Sequence, residues 1–413
     1  MSYAVANTAF YPRYDLLDPD FPKSPYPLLH RMRTEEPVFW FEPLNTWVVT
    51  RYEEVSSILK DPMRFSSRRA DRMLQAQLPS DTPSGIRQTI AHVMSLAAMF
   101  SDPPVHTHLR SEANKGFSPR AMAPMAQRIQ KVTDELISRM EGRGEMDGFL
   151  DFFEPFALTV IGDLMGVPRE DQHLFIPWTQ KTTKLLGGSK LTLEEAQASL
   201  RAFEEMNAYL AQALAERQRN PRDDMMSFLL AGYDPGRFPL EALAGMCSEI
   251  IGGANAPTGD TLGNALLACL SHPEELEKAR HTPALWKTAV PELLRYDGPI
   301  LFWSRLATED VVLGGKRIRA GQMVYASLAG ANRDPDVFPE PDQLDFSRPN
   351  AHKHVSFSFG PHHCIGAGLA RMEMTIVFET LFRRLPGLRL AGPVQWREGS
   401  LTTRGPTRIP LVF

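Results

Sequence analysis

The stretch Phe357–Arg371, FSFGPHHCIGAGLAR, decides how the rest of the chain is read. Cys364 stands between two glycine-containing turns and opens the apolar helical run IGAGLARMEMTIVFETLFRRL. A thiolate at the start of a helix is stabilised by the helix dipole and by unpaired backbone N–H groups. Gly360 and Gly366 would let a tight backbone approach a flat ligand closely. A zinc site built from His352, His354, His362, His363 and Cys364 would need a second cysteine or histidine pair at zinc spacing, and none is present. A cysteine that only fills a core would not require Phe357 and the glycines at these offsets. The pattern gives Cys364 a chemical role.

The chain has 413 residues, 43% of them hydrophobic, which is enough for a large core. Its formal net charge of -4 gives no sign of bulk nucleic-acid binding. Three cysteines, Cys247, Cys269 and Cys364, make no disulfide framework and fit a reducing compartment. The opening MSYAVANTAFYPRYD lacks a basic start followed by an apolar run, so no signal peptide is expected. No apolar stretch reaches the roughly 20 residues of a membrane span. These features lead us to expect a cytoplasmic monomer that binds neither nucleic acid nor membrane.

The 34 prolines are spread along the chain and mark no single boundary, so one domain over 1–413 is expected. PVFWFEPLNTWVVTRY reads as a hairpin, two apolar runs split at Glu42–Asn45, and residues 52–61 as a short amphipathic helix. From about 105 to 300 the period is helical. Met125, Ile129, Val132, Leu136 and Ile137 share one helix face, residues 193–220 form a long amphipathic helix, and residues 151–168 are apolar all round. Strand patterns at about 36–50, 310–328 and 386–413, with a further helix at 366–385, give a mainly α body with small sheets near the two chain ends.

The cysteine segment resembles that of the cytochrome P450 family. Phe357, Gly360, His362 and Gly366 stand at the family's offsets of seven, four and two residues before the cysteine and two after it. The resemblance implies haem b with Cys364 as its proximal ligand, held between a distal helix and the cysteine loop. A thiolate ligand pushes electron density onto iron and favours O–O cleavage. Three further segments occur in family order. Glu292-x-x-Arg295 matches the family's buried ion pair, tied to the PDQLDFSRP loop through Arg348. SDPPVHTHLR places His106 and Arg110 where the family holds haem propionates, and Arg305 and His362 resemble further propionate partners. Guanidinium forks match carboxylates geometrically.

The family's distal helix carries a small-Gly-x-acid-Thr pattern whose acid and threonine deliver protons to oxygen. Aligned on GNALLACLSHPEEL, this chain has Ala256 at the acid position and Pro257 at the threonine position. Placing Asp260–Thr261 there instead would shorten the distance to His272–Pro273 by a turn. Proline inside a helix costs about 3 kcal/mol, so a break is expected at Pro257, opening room beside Gly252 and Gly253. Ala256 and Pro257 transfer no protons. Asn255 and Thr258 are the nearest polar side chains to hold a water. Glu249 shares a face with Gly252 and Ala256 and either serves the pocket or pairs away from it.

Family-typical pocket segments supply Met73, Ile90, Val93, Met94, Leu96, Leu185, Leu186, Gly252, Gly253, Ala256, Ile300, Leu301, Phe302 and Leu401. Such an aliphatic, methionine-rich wall suits an apolar or aromatic substrate. The resemblance implies a monooxygenase of secondary metabolism taking electrons from a ferredoxin and its ferredoxin reductase. Arg110, Lys115, Arg120, His352 and Lys353 form a candidate docking face for that acidic partner. The alternatives are peroxide-driven, coupling or demethylating chemistry at the same haem, and a haem-thiolate protein that binds without turnover.

Overall fold

The computed structural model describes residues 13–188, 190–234, 236 and 239–413. Most of the opening segment on which the signal-peptide expectation rests lies outside them. Among the described residues, no helix is long and apolar enough to cross a membrane.

The apolar patterns form the expected helices. Met125–Met140 buries Met125, Ile129, Val132, Leu136 and Ile137, and Leu193–Arg219 starts with a capping box between Thr192 and Glu195. Glu154–Met165, apolar all round, packs inside the helical body. The 32-residue helix Leu240–Ser271 crosses this body, and its second half is fully packed at Leu262, Ala265, Leu266 and Cys269.

The strands combine differently from expectation. The hairpin Val38–Phe41/Thr46–Val49 turns at Asn45, which adopts the left-handed conformation. It joins the late strands Met323–Ser327 and Phe302–Ala307, then Phe65–Ser66, in one five-stranded sheet. The Thr46–Val49 to Met323–Ser327 pairing is parallel, linking distant parts of the chain. A second sheet pairs Pro410–Val412 with Arg389–Leu390 and with Glu145–Asp147, a strand inside the segment read as helical. The apolar alternation identified strands; it carried no signal for these long-range partners.

The Glu292-x-x-Arg295 pair lies on the helix Trp286–Asp297 and is sealed from solvent. Glu292 accepts two hydrogen bonds from Arg295, at 2.7 and 2.8 Å, and one from Arg348 at 3.0 Å. The two guanidinium groups spend their other donors on the carbonyls of Asn332, Pro339, Glu340, Pro341 and Gln343. One carboxylate thus anchors the whole 332–348 segment that leads into the cysteine loop. Removing its charge strands two buried cations, a loss typically costing about 3–5 kcal/mol. Glu292→Gln is expected to lower the urea-unfolding free energy by about that amount.

Glu373, on the helix Ala367–Arg384, is buried and makes no ion pair among the described residues. Burial pushes its carboxyl up to about 8 from an ordinary 4.5. The native state therefore keeps a proton that the unfolded chain releases, so stability falls as pH climbs from 4.5 to about 8. Glu373→Gln is expected to flatten this slope in thermal-denaturation midpoints measured across that range.

Candidate active site

The cysteine loop is shaped by backbone constraints. Gly360 has φ +69°, and a Cβ there would lie 2.7 Å from the Leu59 carbonyl oxygen. Close approach of the helix Tyr52–Lys60, which was not part of the sequence reading, demands a glycine here. The Cys364 N–H donates to the Phe357 carbonyl at 2.8 Å, closing the loop. Cys364 is accessible, whereas Cys247 and Cys269 are buried. Desolvation raises the Cys364 pKa, while the N–H groups of Gly366 and Ala367 and the charges of Arg110 and Arg371 favour the thiolate. A bound metal cation would complete that deprotonation. Among the described residues, no group of three or more His, Cys, Asp and Glu side chains is placed to hold a metal ion.

A cluster of cationic and imidazole groups borders the same space. The His106 and His362 rings lie 4.0 Å apart. His362 is pushed down to about 2 by burial and by the charges of Arg305, His106, Arg69 and Arg110. Its Nε2 meets the Ser67 hydroxyl at 2.9 Å. Arg110 donates to the His363 carbonyl. Arg305 is buried on its strand and pushed down to about 9 by desolvation and by Arg69. One of its Nη1 bonds goes to the Ser304 carbonyl at 2.9 Å, and its Nη2 is buried with no partner. Among the described residues, none of these arginines forms an ion pair with a carboxylate. Two acids act on them through space, Asp102 on Arg69 and Arg305 and Glu249 on Arg69 and Arg110; Asp102 is itself engaged by the Ser66 hydroxyl and the Ser67 N–H.

Arg69 belongs to this cluster and was not singled out in the sequence. It is buried and pushed down to about 10 by desolvation. Its Nε donates to the Ser304 hydroxyl at 2.8 Å, and its Nη1 to the carbonyls of Ser67 and Met99 at 2.9 and 2.8 Å. Its guanidinium lies over Phe100 at 4.6 Å. The only available signal was an arginine two residues beyond Ser67, just after the strand Phe65–Ser66, which has no specificity alone.

The long helix runs through Pro257 without interruption, so the expected break does not occur. Proline has no N–H, which leaves the Gly253 carbonyl without its partner four residues on. The Pro257 carbonyl itself accepts from the Thr261 hydroxyl at 2.6 Å. An unbroken helix turns about 100° per residue, which places Glu249, Gly252, Gly253 and Ala256 on one face. That face is open: Gly253 is exposed, and a Cβ built on Gly252 or Gly253 meets no atom within 4 Å.

The same rotation corrects two assignments. Thr258 falls on the opposite face of the helix from Glu249. Asn255 is buried and donates to the Thr179 hydroxyl at 2.9 Å, on the helix Phe175–Leu186. Neither faces the open stripe. Asp260 is likewise committed, accepting from Arg397 at 2.7 Å, and Thr261 is back-bonded, so the alternative register offers no free pair. Glu249 accepts the N–H groups of Ala98 and Met99 at 2.7 and 2.9 Å.

The expected pocket wall divides. Leu96 and Ile300 are partly exposed, and Leu96 packs near Gly245 of the long helix. Met94 and Leu185 are buried in a side cluster with Met73 and Ile90. Leu301, Phe302 and Leu401 are sealed beneath the N-terminal segment, where Phe302 stacks on Phe21, and so present no surface to a ligand. Of the expected docking residues, Arg120, His352 and Lys353 are exposed, Lys115 pairs with Glu112, and Arg110 turns inward.

An accessible thiol in a tight loop, an open glycine-bearing helix face and arginines free of ion pairs among the described residues set a metal-ligating group beside anion-binding donors. The family model for cytochrome P450 matches residues 284–386. The chain is 36% identical over 371 residues to cytochrome P450 CYP107DY1 of Priestia megaterium, covering 89% of each. It is 34% identical over 380 residues to the biotin biosynthesis cytochrome P450 of Bacillus subtilis, covering 92% of this chain and 93% of the relative. The crystal structure of P450BioI with an acyl carrier protein carrying hexadec-9Z-enoic acid superposes with a TM-score of 0.87 at 32% identity, over 95% of this chain and 99% of that one. The chain belongs to the cytochrome P450 family and is an oxidoreductase of the monooxygenase class. The family's cofactor is cysteine-ligated haem b.

The residues present fit that group. The orphaned Arg305 Nη2 and the cation belt call for carboxylates, which the propionates supply, and the glycine face leaves room for a flat ring. Arg305→Met is expected to raise the thermal midpoint of the haem-free protein, by removing an unpaired buried charge. The same variant should retain haem about tenfold less well in a transfer assay to apomyoglobin, through loss of a charged hydrogen bond.

Proposed function

We propose that this chain inserts one oxygen atom from O2 into an apolar or aromatic small molecule, with Cys364 ligating haem. The observation that carries the reading is the accessible Cys364 thiol in a site bordered by Arg305, Arg110, His106 and His362. When bound, the haem supplies the electron-rich iron centre at which the O–O bond is cleaved. Arg305, Arg110 and His106 would hold its propionates, and His362 packs beside His106 and fixes the loop through Ser67. Each turnover consumes two electrons and two protons, which reduce the second oxygen atom to water. The electrons come from a ferredoxin and its reductase, docking where Arg120, His352 and Lys353 are exposed.

The protons take an unusual route. With Ala256 and Pro257 in the long helix, Asn255 and Thr258 turned away and both Glu249 oxygens taken by backbone N–H groups, the acceptor left on its open face is the Gly253 carbonyl. The carbonyl freed by Pro257 holds a proton-carrying water in place of a threonine hydroxyl. Leu96, Ile300, Gly252 and Ala256 bound the substrate and keep further water out.

Pro257→Ala separates this reading from one in which the proline is merely tolerated. The variant restores an N–H to the Gly253 carbonyl and adds no hydroxyl. Product formed per NADH consumed is expected to fall about fivefold, the worth of one hydrogen bond of about 1 kcal/mol. Unchanged coupling would remove the carbonyl from the route. The substrate itself is to be found by a spectral binding screen of phenols, aryl ethers, amines and terpenoids with product analysis, running each hit with ferredoxin and with peroxide.

A further inference from the structure

The segment between the helices Ser84–Ser95 and Val105–Gly116 carries an arrangement that the monooxygenase reading does not use. Both polar backbone groups of Met99 are bonded to opposite charges. Its N–H donates to Glu249 of the long helix at 2.9 Å, and its carbonyl accepts from Arg69 at 2.8 Å. The second Glu249 oxygen takes the Ala98 N–H at 2.7 Å. Phe100 is buried under the Arg69 guanidinium. Two residues further on, Asp102 grips Ser66 and Ser67, and the Ser67 hydroxyl reaches His362 in the cysteine loop. A single line of hydrogen bonds thus runs from the distal helix, through residues 98–102 and 66–69, to the loop that bears Cys364.

We infer that Glu249 and Arg69 are positioning residues that clamp residues 98–100 from opposite sides and thereby fix both the pocket wall and the helix carrying His106 and Arg110. Glu249 stands on the open face of the long helix, where a carboxylate would otherwise serve to attract a cationic substrate. Its two oxygens are instead each committed to a backbone N–H, as an acid is at a helix start. Arg69 has no carboxylate of its own and uses its fork on two carbonyls and a hydroxyl from three separate segments. Hydrogen bonds to charged groups exceed those between neutral groups, and the three bonds to Ala98 and Met99 are partly buried. The inference rests on the haem-binding reading only for the role of His106 and Arg110; the clamp itself stands on the observed bonds.

The test uses haem-loaded protein and amide hydrogen exchange over residues 97–101. Glu249→Gln puts an amide NH2 against one of the two backbone N–H groups, so at least one bond is lost. Exchange at Ala98 and Met99 is expected to accelerate about tenfold or more, the equivalent of one charged hydrogen bond. Binding of a neutral probe, phenylimidazole, and of a cationic one, a benzylammonium, should weaken in the same proportion. Unchanged exchange, or weakening confined to the cationic probe, overturns the inference and makes Glu249 a substrate anchor. Arg69→Lys keeps the charge and removes the fork; should Glu249→Gln fail to load haem, the same acceleration at Met99 is read in that variant, and its absence counts against the clamp. Haem content alone does not enter the comparison, so failure of the monooxygenase reading is distinguished from failure of this one.

Discussion

Three arginines that, among the described residues, form no ion pair with a carboxylate organise the centre of this molecule. Arg305, Arg69, Arg110 and the His106–His362 pair gather on one side of the Cys364 loop, and burial pushes their protonation down. Burying cations unpaired is expensive, and natural proteins do so where a ligand brings the missing anions. The sheet delivers Arg305 on Phe302–Ala307, the helix Val105–Gly116 delivers His106 and Arg110, and the cysteine loop delivers His362. The parallel pairing of Thr46–Val49 with Met323–Ser327 and the Glu292 carboxylate hold those carriers in register.

The distal helix shows how one residue changes chemistry without changing shape. Pro257 was expected to break it and does not; tertiary packing on both sides of the residue outweighs the local cost of about 3 kcal/mol. Because the helix stays regular, the side chains nearest the proline are carried away from the open face. Asn255 is drawn to Thr179, and Thr258 turns to the far side. What the proline does contribute is a carbonyl deprived of its usual helical donor, at a glycine whose side is open.

Much of this was legible from residues alone, and the division has a physical basis. The Glu292–Arg295 pair was legible because its members stand one helical turn apart, and Arg348 joins them as expected; the roles given to Cys364, His106, Arg110, Arg305 and His362 came from the family resemblance of their segments. Asn255 and Thr258 misled because a break was assumed where the helix is continuous, and a rotation of about 100° per residue reverses a side chain's facing within two positions. Leu301, Phe302 and Leu401 misled because an apolar residue near a pocket and one beneath it look alike in sequence. Arg69 escaped notice because its partners are carbonyls of distant segments, which leave no pattern in the chain. The strand Glu145–Asp147 was hidden for the same reason: its partner lies at the far end of the sequence.

The hydrogen-bonded line from Glu249 to His362 makes two sites answerable to one another. Residues 98–102 border the pocket at one end and lead directly into the helix bearing His106 and Arg110 at the other. Binding free energies at coupled sites are reciprocal. A molecule in the pocket that strengthened the hold on the prosthetic group by some factor would itself bind the loaded protein more tightly by that same factor. Substrate affinity measured on partly loaded protein would then report occupancy of the cofactor site as much as the fit of the substrate.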